Sequence, residues 1–263
     1  MNERQVKTLA EHHGFMVAMS CLMFAFSHGL RRRRSEESVS FILSKRSQLP
    51  LLYDLDNAGD GRRAVWGGLL DKAERLVDVV DCADFEGAMF DAARDFVAEA
   101  AERTYAASMG APPTYNAGSL KYDAPLAELP RNHCNFHIAN AVSPRSIFAD
   151  PAYLPQCFMT LMDNSGREHG YDILRTFTWL NDRPRWLELF PREWHDNLDA
   201  PYPEIWGNYG FWGQLVTARG TFNAELGEHV RAHGELKYKP RKSHCSFAAM
   251  RGHLKTYLGA VKK

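Results

Sequence analysis

The sequence has no net charge: 32 lysines and arginines balance 32 aspartates and glutamates. A nucleic-acid-binding chain normally holds a basic excess, so the composition disfavours that class of partner. Balanced charge also favours self-association, and a homo-oligomer, in the simplest case a homodimer, is expected. Cysteine is scarce. Cys21, Cys82, Cys134, Cys157 and Cys245 are odd in number, scattered, and never spaced CxxC. That argues against a disulfide framework and for a reducing, cytoplasmic compartment. Long apolar runs are missing as well. The longest apolar-rich stretch, "GFMVAMSCLMFAF", covers 13 residues and reads as a buried core helix rather than a membrane span. The opening "MNERQVKTLAEHHGF" lacks the basic-then-apolar order of a secretory signal.

Familiar cofactor and nucleophile signatures are missing too. There is no GxGxxG, Walker A, GxSxG, HExxH or DFG-like stretch, and no Glu-x-x-His pair of the di-iron bundle kind. A nucleotide cofactor on its usual fold is therefore not expected. No internal repeat or low-complexity segment is present.

What is there is a chain of 263 residues, 45% apolar and 24% charged. That is enough for one large domain or two small ones with a substantial core. The expected fold is α+β and predominantly α-helical, with a minor two-strand β element. Residues 1–110 read as a helical region. In the stretch 84–108, Phe85, Met89, Ala92, Phe96 and Ala100 share one face of a 3.6-residue period, with Asp84 as the N-cap. Residues 111–130, with four prolines, read as an irregular linker or wrap. Residues 131–263 read as an aromatic-rich region bearing the site, or the whole chain forms one continuous domain. "CNFHIA" and "ILRTFTWL" alternate like strands, and residues 203–233 read as one long, kinked helix.

The densest cluster of functional side chains is "RNHCNFHIANAVSPRSIF", residues 131–148. Read as a strand, His133, Asn135 and His137 face away from Cys134, Phe136 and Ile138. Read as a helix, His133, His137 and Asn140 line one face. Either reading puts His133 and His137 on one side. A second pair, His229 and His233, lies four residues apart with Glu225 four before, a spacing that presents ligands to one metal on a helix. The same pair also suits a helix end before Gly234, where protonated histidine complements the helix dipole. "His-Cys" occurs at 133–134 and 244–245, where a core cysteine beside a functional histidine is the simpler reading; Cys134 with His137 is a weaker candidate dyad. Asn181 ends an apolar strand. Asn208, Trp212, Gln214 and Arg219 sit in a glycine-rich aromatic stretch that reads first as a helix crossing with its tryptophans in the core, and otherwise as a ligand wall. Arg145 and Ser146 lie in a turn able to meet an anion. Arg31 to Arg34 reads as a solvated helix end or an anion contact.

These readings favour an enzyme acting on an aromatic or carboxylate-bearing small molecule in a histidine-centred, aromatic-lined pocket. His137, His133 and Asn140 would be catalytic; Arg145, Ser146, Trp179, Asn181, Trp212, Gln214 and Arg219 would hold substrate. A transition metal or haem held by His133, His137, His229, His233 and Glu225 would make it an oxidoreductase. Without one, histidine acid–base chemistry suits a cofactor-independent lyase or transferase. The alternative is a non-catalytic helical ligand- or protein-binding module. No membrane partner is expected.

Overall fold

The structure is a computed structural model that describes residues 7–108, 116–204 and 209–261. The chain forms two compact units, Met1–Ala111 with Glu204–Lys237, and Pro112–Pro203 with Tyr238–Lys263.

The first unit is helical. Helix Leu9–Arg33 opens on a capping box: Thr8 Oγ1 accepts from the Glu11 amide at 3.1 Å, and the Glu11 carboxylate accepts from the Thr8 amide at 2.9 Å. Its buried residues, Phe15, Met16, Met19, Leu22, Met23, Phe24 and Phe26 among them, run round the whole helix, so it sits inside a bundle. Among the described residues it is the one helix long and apolar enough to cross a membrane by length and composition, and 61% of its apolar window is buried. Its principal neighbour is helix Cys82–Ser108, which buries Phe85, Met89, Phe96 and Ala100 as the period predicts. Ala93 rather than Ala92 is the buried alanine of that turn, and Asp81, not Asp84, caps the helix by accepting from the Asp84 amide at 2.9 Å. The arginine run is engaged within the unit. Arg31 meets Asp78 at 3.3 Å, Arg34 meets Glu37 and Glu204, and Arg33 donates to the Gly234 carbonyl at 2.8 Å.

A single helix over 203–233 does not form. Helix Tyr209–Trp212 runs into a 3-10 turn, Gly213–Leu215, and the chain then doubles back before helix Ala224–His233. Gly220, at φ 79°, takes the left-handed turn, and the Thr217 amide donates to the Thr221 carbonyl at 2.8 Å to close the loop. Asn208 lies outside the described residues.

The second unit holds a sheet of four strands, β1 (Leu120–Tyr122), β2 (His133–Ile138), β3 (Ile173–Thr178) and β4 (Arg241–Ser246), in that spatial order. The two-strand expectation is thus corrected to a four-strand mixed sheet. The β2–β3 pair is parallel, and helix Tyr153–His169 supplies the crossover that a parallel pair needs; the outer pairs are antiparallel. The two unforeseen strands have physical reasons. β1 is three residues inside a proline-rich stretch. β4, "RKSHCS", has no bulky apolar side chain because its core-facing residues are Ser243 and Cys245.

Alternation along the strands makes one face of the sheet apolar. Leu120, Tyr122, Cys134, Phe136, Leu174 and Cys245 pack against Leu154, Phe158, Leu161 and Met162 of helix Tyr153–His169 and against Trp186, Phe190 and Trp194. Phe158 lies edge-on to both Phe136 and Phe190, with centroids 5.4 and 5.3 Å away. The buried hydroxyls of the strands on this face are satisfied: Thr176 donates to the Phe136 carbonyl at 2.8 Å and Ser243 to the Trp194 carbonyl at 2.6 Å. Gly118, at φ 63°, leads into β1 with its missing Cβ pointing at Cys157 Sγ.

Candidate active site

The opposite face of the sheet carries the polar residues. Strand register fixes their neighbours. His133 lies beside Ile173, Asn135 beside Arg175, and His137 beside Lys121. Across the next ladder Arg175 lies beside His244 and Phe177 beside Lys242. None of these side chains belongs to the core; His137 is exposed and the residues of β3 and β4 on this face are half-buried.

At one side of the face Asp123 follows directly after β1. Its main chain is fastened by its amide donating to the Asn135 carbonyl at 3.1 Å and by the Tyr171 hydroxyl donating to its own carbonyl at 3.1 Å. The carboxylate Oδ2 then accepts from Asn135 Nδ2 and from His137 Nε2, each at 2.7 Å. A carboxylate only accepts, so His137 carries its hydrogen on Nε2 and has Nδ1 left for another partner. This is a carboxylate-oriented imidazole, the arrangement that fixes tautomer and ring direction in acid–base sites.

At the other side His133 stacks on His244, ring centroids 6.1 Å apart and planes 29° apart. His133 Nδ1 is shut off from solvent and has no hydrogen-bond partner. Burial is the main force pushing the His133 pKa down, and Arg175 and His244 push the same way against Asp172. Phe177 and Tyr202 meet edge-on at 4.9 Å, and Lys242 lies over both rings while donating to the Tyr202 hydroxyl at 2.9 Å.

The cysteines beside the two histidines are core residues. Cys134 and Cys245 are fully buried on the apolar face. Burial pushes the Cys134 thiol up to about 12, so it is a poor nucleophile. Cys134 and His137 sit on opposite faces of β2 and form no dyad.

The other sequence-derived candidates scatter. Asn140 shapes the following turn: its Nδ2 donates to the Arg145 carbonyl at 2.8 Å and its Oδ1 accepts from the Val142 amide at 3.1 Å. Arg145 is exposed, and Ser146 Oγ accepts from the Phe148 amide. Trp179 is half-buried and stacks on Tyr238 at 6.1 Å. Asn181 is fully buried and engaged, taking the Trp186 indole N–H at 3.0 Å and giving to the Arg241 carbonyl at 2.8 Å. It braces the core instead of facing a ligand. Trp212, Gln214 and Arg219 belong to the first unit. Trp212 is a core residue edge-on to Phe26, Gln214 is buried and donates to the Phe211 carbonyl, and Arg219 meets Glu11 at 3.5 Å.

The two histidine pairs also fall in different units. The His229 and His233 rings lie 4.4 Å apart on helix Ala224–His233, and Glu225 pairs with Lys237 at 3.3 Å. Among the described residues no group of three or more His, Cys, Asp or Glu side chains is arranged to hold a metal ion. The five-ligand metal site read from the sequence is therefore not assembled there.

Asp123 and Arg175 were not foreseen. Alternation in "ILRTFT" already puts Arg175 on the face away from Leu174, so that signal was available. Asp123 joins His137 through pairing between β1 and β2, and nothing in the local sequence marks it. No protein-family model, no curated protein and no solved structure matches the chain.

Proposed function

We propose that the protein is a histidine acid–base enzyme acting on a small carboxylate-bearing metabolite, with His137 as the proton-transfer group. The observation that carries this reading is the Asp123–His137 contact at 2.7 Å on the polar sheet face, braced by Asn135. In this role Nδ1 of neutral His137 takes a proton from substrate while Nε2–H stays on Asp123. The carboxylate stabilises the imidazolium, which then returns the proton to the leaving or accepting atom. Such chemistry serves lyases and transferases and needs no cofactor. The cationic and aromatic residues across the face supply substrate contacts.

The test is conversion. The protein is incubated near neutral pH with pools of carboxylate-bearing metabolites, and products are read by mass spectrometry. Wild type should convert a member of the pool. His137→Gln should abolish conversion, and Asp123→Asn should lower it by roughly a hundredfold, both with unchanged circular dichroism. Conversion that survives His137→Gln, or no conversion by wild type, counts against the proposal.

A further inference from the structure

Arg175 is out of balance with its surroundings. It sits on β3, which is flanked by β2 and β4, so it occupies the interior of the sheet. It is half-buried, and among the described residues its side chain makes no ion pair and no hydrogen bond. Other half-buried arginines of this unit are engaged: Arg241 reaches Asp182 and the Asp199 carbonyl, Arg251 reaches Asp163 at 2.6 Å, and Arg183 lies over the Tyr238 ring at 4.4 Å. A guanidinium that no protein acceptor engages is open to a ligand's carboxylate.

The carboxylates nearby are already engaged. Asp123 holds Asn135 and His137. Asp172 accepts from Asn132 Nδ2 at 2.7 Å. Glu193 accepts from the Ser246 amide and hydroxyl at 2.9 and 2.8 Å. Beside Arg175, moreover, lies a second group in want of a partner, the solvent-excluded Nδ1 of His133, whose ring is stacked on His244, the cross-strand neighbour of Arg175. An uncommitted guanidinium and an unpartnered imidazole nitrogen therefore meet at one place on the sheet.

We infer that Arg175, with the imidazoles of His133 and His244, forms the binding site for the carboxylate group of the substrate. The guanidinium offers a planar fork that matches two carboxylate oxygens. Charge selects a monoanion. Arg175 brings one permanent positive charge, and burial and the neighbouring cation hold His133 towards its neutral form. A phosphate dianion would be under-compensated. Arg175 lies beside Asn135, two residues before His137 on β2. One strand spacing across and two residues along put such neighbours about 8 Å apart. The substrate's reacting atom thus lies several bonds from its carboxylate. This inference deepens the acid–base reading and rests on it for the substrate's identity, but the site is testable by binding alone.

The experiment is calorimetric titration of the full chain with benzoate, with uncharged benzamide, and with inorganic phosphate. Benzoate should bind, benzamide should not, and phosphate should bind more weakly than benzoate. Arg175→Gln should weaken benzoate by roughly tenfold or more, Arg175→Lys less, and His133→Gln measurably. His137→Gln should keep benzoate binding while losing turnover, which separates failure of this site from failure of the acid–base reading. Equal binding of benzamide, tighter binding of phosphate, no binding of benzoate, or unchanged affinity in Arg175→Gln would each overturn the assignment. Should Arg175→Gln fail to fold, His244→Gln and Arg175→Lys make the same comparison, and unchanged affinity in both overturns it equally.

Discussion

The two faces of one sheet, built from alternate residues of the same strands, obey different rules. On the apolar face the buried hydroxyls of the strands are answered. The Thr176 and Ser243 hydroxyls have carbonyl acceptors, and the cysteines are sealed in as small hydrophobes. On the polar face His133 Nδ1 is buried without a partner, and the Arg175 guanidinium engages no acceptor among the described residues. The contrast separates residues that hold the sheet together from residues the sheet merely presents.

Substitutions can sharpen or break that division. The largest loss is expected at Phe136→Ala, which removes a ring packed between Phe158 and Trp194; urea unfolding should show about 3–5 kcal/mol less stability. Gly118→Ala comes next. It forces a left-handed backbone on alanine and drives a Cβ into Cys157 Sγ, for about 1–3 kcal/mol. Adding Cys157→Ala should recover part of that loss. Thr176→Val strips the hydroxyl that serves the Phe136 carbonyl, and about 1 kcal/mol should go with it. On the other face Asp123→Asn should cost under about 1 kcal/mol in the same assay, because its contact with His137 is partly exposed. A polar-face loss as large as that of Phe136→Ala would erase the division.

Acid provides the mildest probe. The His133 pKa is pushed down chiefly by burial, and for the same leading reason His12, in the first unit, is pushed down to about 4 from an ordinary 6.5. Each imidazole binds protons more readily in the unfolded chain than in the fold. Stability from both is therefore full above pH 6.5 and drains away as pH falls below it, for His12 down to about pH 4. His12→Gln and His133→Gln should each flatten part of the fall in thermal midpoint over that window. A steeper fall in either variant would reverse the sign argued for that histidine.

The sequence made part of this legible. Alternation in "CNFHIA" and "ILRTFTWL" exposed β2 and β3 and put His133 and His137 on a common side. The period of the helix around Phe85 to Ala100 was equally readable, because burial on one face of a long helix leaves a repeating mark. β4 left none, since small Ser243 and Cys245 fill its core positions and its other side chains are charged or polar. The Asp123–His137 pair was invisible because strand pairing, not spacing, joins them. Asn181 misled for the opposite reason. A polar residue among aromatics resembles a ligand contact, but the Trp186 indole and the Arg241 carbonyl claim its amide. Trp212 stands with it, an aromatic chosen as a wall that turns out to fill a core.

The order of the chain through the two units has a consequence for biosynthesis. Residues 204–237 belong with the amino-terminal helices, whereas β4 and helix Phe247–Val261 return to the sheet. As the nascent polypeptide leaves the ribosome, β3 meets β2 on one side and waits with its other edge bare. The amino-terminal helices wait too, since Arg231 must emerge before it can clasp Glu86. Neither unit can finish until the residues from 204 onward have emerged. A chain released before residue 241 would carry a naked strand edge, and such fragments should be captured by chaperones or precipitate.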